Sequence, residues 1–455
     1  MLSEDKTGLL KSFLGSLTGD IAARLAGAVE VDRAQGGNKL PHATILEGLR
    51  PALRDLHIPR MPTPLRLFCR PFEDILSSAP RKAKQKASIA RTSLLPVWTW
   101  LGRDLLPAQT ESYVAETKNL IVEGKYSEAT RRAETFWTEA GNALAAALAT
   151  PAAQAALTDP LILADAREMA LLLPAGRDML MIQEILPRRA PQFTEELVWQ
   201  VRTVYDELIA RAPDVASFVA VVAMNRLAHP WEALRLPMLI CRQSNDTLIS
   251  QTDMGLVGEI LFSRMENLRD AVLVTRHPFF DPPVLLDQVS CFAMMSSGLT
   301  KEIELKRDGE WGPRLLKDRA QVGGVMDGFM DRALREISAA LPLQKGTGAT
   351  ADFSRAMNGE KRDLALRYAK LVVGSRNFAA AASFGAKQKT VAEEIGVYLR
   401  RYVEDAVKEL KGTDAERKAV AEIQLQLCVE LTALFFSEKE AELLQRRGKA
   451  AQAAA

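Results

Sequence analysis

Apolar residues return every three to four positions along almost the whole chain, which is the period of a helix rather than of a strand. Near the start, Leu10, Phe13, Leu14, Leu17, Ile21, Leu25 and Val29 form one stripe, with Lys11, Asp20, Arg24 and Glu30 on the opposite face. The paired glycines and proline of "DRAQGGNKLPH" (32–42) end that helix, and "ATILEGLRPALRDL" predicts a second, short one. Later stripes are equally regular. Val257, Ile260, Leu261, Met265, Leu268 and Val272 make one; Met326, Phe329, Met330, Leu334 and Ile337 another; Val391, Ile395, Tyr398, Tyr402, Ala406 and Leu410 a third.

Alternating polar and apolar positions are scarce, and "EIELKRDGEWGP" (302–313) is the best candidate for a β-hairpin. The fold class predicted is therefore all-α: an irregular multi-helical array ending in a C-terminal helical bundle. Punctuation by Pro and Gly suggests the parts. Residues 1–110 hold an N-terminal helix and a proline-punctuated arm, 111–341 a central helical body, and 342–360 a linker rich in Gly, Thr, Ser and Ala. A bundle at 361–446, from segments near 361–373, 378–411 and 414–446, and a frayed tail at 447–455 complete the chain.

"EGKYSEATRRAETFWTEA" (123–140) has Gly124 at a turn, Tyr126 two residues on and a small Ala129 three further. This resembles the inter-helix turn and second helix of a tetratricopeptide repeat. It covers about half of one ~34-residue unit, and "RLAHPWEALRLP" (226–237) repeats the order without the glycine. The resemblance implies a degenerate helical-hairpin array as the alternative form of the same all-α class.

Composition narrows function by exclusion. The 455 residues are 47% hydrophobic and 25% charged, ordinary for globular chains and enough for more than one core. No apolar run approaches the ~20 residues that span a bilayer, and the N-terminus lacks a basic region followed by an apolar core, so the cytoplasm is the expected location. Arginine outnumbers lysine 38 to 21 in an Ala-rich background, which fits a GC-rich bacterial genome. Cys69, Cys241, Cys291 and Cys428 lie far apart with no CxxC pair, so reduced, buried thiols are expected rather than disulfides or zinc.

Chemistry-bearing clusters are sparse. Four histidines stand at 42, 57, 229 and 277, none in an HExxH or HxH spacing. His229 and His277 each precede a proline, a position that ends helices, with the imidazole facing the last carbonyls. No GxxxxGK[ST], GxGxxG, GxSxG or EF-hand spacing occurs, so no cofactor, metal or catalytic set is predicted. The densest polar set, "CRQSNDTLISQTDMG" (241–255), offers Arg242, Ser244, Asn245, Asp246 and Asp253 to a small polar ligand. The same residue types also serve turns and caps for local reasons alone. An enzyme or small-ligand protein built on this loop, with His229 or His277 as base, is one alternative reading.

The strongest functional signal is charge. Between Lys39 and Asp104 the chain carries 12 Lys/Arg and five acids, a balance of +7 against +2 for the whole, so the remainder is slightly acidic. Within it Arg66, Arg70, Arg81, Lys82, Lys84, Lys86 and Arg91 stand near Trp98 and Trp100, among prolines that break the segment into short elements. That combination predicts a non-catalytic scaffold or adaptor meeting a protein with an acidic surface, while the C-terminal bundle self-associates or receives another protein. Nucleic acid at the same patch is the second alternative, with the two tryptophans stacking on bases. A third use of the segment is internal: a clamp onto the chain's own helices, anchored by Phe72 and Trp98.

Overall fold

The computed structural model describes residues 4–34, 39–53, 62–78, 83–344 and 350–453. Among them the fold is all-α, with a single two-residue parallel ribbon pairing Leu76–Ser77 with Ile89–Ala90. The chain divides into two compact units, Met1–Ala228 and His229–Ala455. The division falls inside the 111–341 stretch, just after helix Pro213–Arg226 stops short of Pro230, whose ring excludes helical geometry at His229.

In the first unit the N-terminal stripe is not one helix but two, Glu4–Gly15 and Gly19–Ala34. Ser16 breaks it by donating its hydroxyl to the Phe13 carbonyl at 2.8 Å, between two glycines that favour neither helix. The break splits the stripe. Leu14 joins Ala22, Ala26 and Leu49 in a small core, while Phe13 (62%) and Ile21 (54%) face outward. Three of the prolines punctuate the chain as expected, whereas Pro96 lies inside helix Arg91–Trp100 without ending it. Pro64 opens helix Pro64–Cys69 behind the Thr63 cap, Pro71 sits in the 3-10 turn Arg70–Ile75, and Pro107 opens helix Pro107–Val122. Gly124, at φ +74°, lets that helix turn back into Tyr126–Leu148, with Ala129 buried in the seam.

Phe68, Phe72, Tyr113, Phe136 and Trp137 form the core of this unit, Tyr113 stacking on Phe136 at 4.3 Å and Trp137 donating to the Leu67 carbonyl. Arg226 closes it: buried with Asp74, it also donates to the carbonyls of Gln183 and Leu186.

In the second unit, helices Leu256–Leu273, Pro282–Glu302 and Trp311–Ala340 precede the bundle. Trp311 is fully buried against Gly258, where a Cβ would overlap the indole. The hairpin expected at 302–313 is absent: Glu302 ends a helix, Glu304 bridges in parallel to Asn245 instead of to its own segment, and the following turn is held by acceptance at the Asp246 carboxylate. The bundle comprises Gly359–Gly374, Gly385–Glu409, Ala415–Phe435 and Glu438–Ala453. The last helix runs through 447–453, where a frayed tail is expected, because Gly448 packs under Leu425 and Ala451 is buried. In the expected linker, residues 345–349 lie outside the described residues. Its second half docks: the Ala351 amide donates to Asp405 and Phe353 is buried beside Tyr402.

Candidate functional site

The basic segment folds back on its own unit most fully at Lys84. Lys84 donates to Asp165 (2.8 Å), Glu168 (2.6 Å) and the Ser88 carbonyl. Both acids come from helix Pro160–Leu172, and Asp165 is wholly buried, also accepting from Ser93 Oγ and the Ala90 amide. Glu168 accepts from the amide of Ala87, a residue held at φ +52°. Burial raises the Glu168 carboxyl above the usual range, although Lys84 and the Ala87 amide oppose it. This arrangement fixes the loop before Ile89 and seats the small parallel ribbon.

The remaining basic-patch residues scatter. Arg81 and Lys82 lie outside the described residues; Lys86 and Arg91 are exposed. Arg70 donates to Thr130 Oγ1, and its carbonyl receives Gln183 Nε2. Trp100 is buried. Pairing across the fold also redistributes the charge: Lys84 and Arg66 meet acids outside the segment, whereas Glu73 and Asp74 are drawn to Arg188 and Arg226.

Arg66 and Trp98 do come together. Trp98 is half-buried, its ring 4.9 Å from Phe68 and 6.1 Å from Phe136, and its outer edge lines two adjoining cavities of about 470 and 570 Å³. Val114 and Lys118 line both as well. The first cavity has apolar walls from Pro62, Pro64, Leu65 and Ile121, with Arg33 and Arg66 at its edge. Arg66 is tethered to the buried Glu30 at 3.1 Å, while Arg33 and Lys118 are exposed and meet no acid among the described residues. In the second cavity Thr110 is 7% exposed, and its hydroxyl lacks a hydrogen-bond partner among the described residues. A buried polar atom left unmatched costs roughly 1–3 kcal/mol, and the Thr110 oxygen, itself shielded from solvent, is such a local defect in the cavity wall.

Reasoning from sequence reaches Arg66 and Trp98 but not Arg33, Lys118 or Thr110. Arg33 precedes the basic window, and Lys118 sits on the polar face of an ordinary amphipathic helix, which carries no signal of its own.

The polar loop is organised around Asp246. Fully buried, its carboxylate accepts from the backbone amides of Lys306 (2.9 Å), Trp311 (3.0 Å) and Gly312 (3.2 Å). Asn245 caps the short helix Asp246–Ile249, and Arg242 adopts the left-handed conformation that closes helix Arg235–Cys241. Ser244, Arg242 and Asp253 are exposed. Neither proline-preceding histidine faces helix-end carbonyls. His229 begins the 3-10 turn Pro230–Leu234 and stacks on Trp231, because its extended backbone suits the start of a turn. His277 Nδ1 lies 2.8 Å from the buried Tyr368 hydroxyl, with Glu336 3.7 Å from its Nε2. No cluster of three His, Cys, Asp or Glu side chains capable of holding a metal occurs among the described residues. Nor is any helix among them long and apolar enough to cross a membrane. The four cysteines are free thiols; Cys69 and Cys428 are buried as expected, but Cys241 and Cys291 lie on outward-facing helix positions and are partly exposed.

No family model, curated protein or solved structure matches the chain. The resemblance of 123–140 to a tetratricopeptide unit thus rests on one helical hairpin alone.

Proposed function

We propose that this protein is a non-catalytic adaptor that takes an acidic segment of another protein into the cleft around Trp98. The carrying observation is the pairing of exposed Arg33 and Lys118, neither in an ion pair among the described residues although Glu30 (held by Arg66) and Glu111 also line the two cavities, with apolar walls on either side of a half-buried indole. Apolar side chains of the incoming segment fill the space between Pro64, Leu65, Val114 and Trp98, and its carboxylates meet the cations at the edge. Electrostatics then sets encounter rate and partner choice more than affinity. A nucleic-acid role is less well served: three cations around the cleft neutralise few phosphates, and walls of proline and leucine offer bases no stacking face beyond Trp98.

The test compares wild type with an Arg33→Glu/Lys118→Glu variant. Low-salt affinity capture from the host is combined with binding to a synthetic peptide carrying a Leu–Trp core between glutamates. The wild type is expected to bind the peptide, weakening as salt rises, and the variant to lose both the peptide and the captured protein. Equal binding by the variant overturns the proposal. So does preferential, steeply salt-dependent binding of a single-stranded oligonucleotide.

A further inference from the structure

The second unit carries a groove that the cleft around Trp98 does not involve. Along helix Gly385–Glu409, Lys389, Ala392, Glu393, Gly396, Val397 and Arg400 recur at helical spacing and line a cavity of about 640 Å³, Gly396 itself being buried. Its far wall is Phe435 and Phe436, where helix Ala415–Phe435 ends. Phe436 sits in non-helical backbone, its ring under the Arg400 guanidinium at 4.7 Å. A Cβ on Gly396 would stand 3.3 Å from that ring, so the glycine admits the aromatic wall. Arg400 and Phe436 also line an adjoining cavity of about 280 Å³ with Leu399, Val403 and Leu443. The two hollows thus form one trough. Its apolar residues are unusually open: Val397 is 68% exposed and Leu443 60%.

Charge says what fits. Around the larger hollow stand Arg376, Lys389 and Arg400 against the single acid Glu393, none of these three cations being paired with a carboxylate among the described residues, whereas the smaller hollow carries Glu404, Glu440 and Arg447, so the cationic end of the trough is the larger one. Shape says the same. From Gly385 to Arg400 the floor runs on the order of 22 Å at the helical rise. Ala392 at its centre is small enough to let a second helix axis approach to about 8–10 Å.

We propose that this groove receives an amphipathic helix of a partner protein, its apolar stripe seated over Val397 and Phe436 and its flank carrying Asp or Glu toward Arg376 and Lys389. With an acidic segment in the first unit and an acidic helix in the second, one chain holds two ligands. The groove proposal stands independently of the cleft.

A labelled helical peptide of about four turns, with Leu at i, i+3, i+4 and i+7 and Glu on one flank, serves as probe in fluorescence anisotropy with the full chain. Wild type is expected to bind it, and Val397→Asp, on an open surface that the fold does not need, to weaken binding by at least about tenfold. Arg376→Ala/Lys389→Ala is expected to weaken it less while flattening its salt dependence. Arg33→Glu/Lys118→Glu, which disables the cleft, leaves this peptide's binding unchanged. Unaltered thermal unfolding of Val397→Asp confirms that folding is not the cause. The proposal is overturned if Val397→Asp binds like wild type, or if a Lys-flanked peptide binds as well. A wild-type dimer that Val397→Asp dissociates and the peptide cannot displace also overturns it, assigning the groove to a second copy.

Discussion

Lys84 Nζ lies 2.8 Å from Asp165 Oδ1 across 81 residues of sequence, with Asp165 wholly buried and Lys84 largely so. A buried carboxylate left without its cation is a strongly destabilising defect, worth about 3–5 kcal/mol. Lys84→Met is therefore expected to destabilise the first unit by about that amount at neutral pH. The loss is pH-dependent with a definite sign. Glu168 already has a raised carboxyl pKa, mainly from burial, and loses the lysine that opposes it. A carboxyl that binds its proton more tightly folded than unfolded favours the folded state below the ordinary carboxylate pKa. That advantage is lost as pH rises through the raised folded value. Urea unfolding of the variant is thus expected to show a smaller deficit relative to wild type in mild acid than at neutrality. Equal deficits at both pH values contradict this account.

That ion pair also shows what a sequence can and cannot carry. Helical periodicity is local, so the all-α class, the proline punctuation of 58–107 and the stripes at 257–272, 326–337 and 391–410 are legible from neighbours alone. Charge bookkeeping is not local. The +7 balance of 39–104 contains no hint that Lys84 meets Asp165 and Glu168, or that Asp74 leaves for Arg226. The N-terminal stripe fails for a related reason: Leu10 to Val29 keeps its period through Ser16, whose side chain ends the helix by a bond that periodicity does not register. Half of the cleft was readable, through Trp98. Its other half comes from Arg33, Lys118 and Thr110, brought there only by packing.

Asp246 holds three backbone amides at and before the N-terminus of the 30-residue helix Trp311–Ala340. Asp246→Ala strands all three donors in a buried site, each unmatched group costing about 1–3 kcal/mol. Relaxation and entering water offset part of this, so a net loss of about 2–4 kcal/mol is expected. Hydrogen exchange read at Trp311 and Gly312 is expected to accelerate well beyond global unfolding. An Asp246→Ala protein as stable as wild type contradicts the capping role and returns the carboxylate to the small-ligand reading.

Burial pushes the Tyr368 and Tyr398 hydroxyls and the Cys69 thiol up to about 12. At pH values between the ordinary and raised pKa, the unfolded chain has released these protons and the folded chain has not. Stability therefore falls as pH rises above the ordinary thiol and phenol range. Wild type is expected to lose thermal stability progressively from about pH 9 upward. Tyr368→Phe removes one such proton, and with it the His277 contact. The variant starts less stable at neutral pH but shows a shallower alkaline decline. A parallel decline in the two proteins rules Tyr368 out as a contributor.

Thiol labelling can follow the two units separately, because each contains one buried cysteine. Cys69 lies 6% exposed in the first and Cys428 fully buried in the second, whereas Cys241 and Cys291 are partly exposed. A neutral aromatic-disulfide reagent is expected to modify two thiols promptly, with Cys291 the slower of these because burial and the nearby Asp287 raise its pKa. The other two react only through opening events, whose rates track local stability. Lys84→Met loosens the loop and helices around Cys69 and is expected to hasten that cysteine while leaving Cys428 at its wild-type rate. Mass spectrometry of the labelled peptides separates the two. If both buried thiols accelerate together, the chain opens as one cooperative block, and the two compact units are not independent folding units.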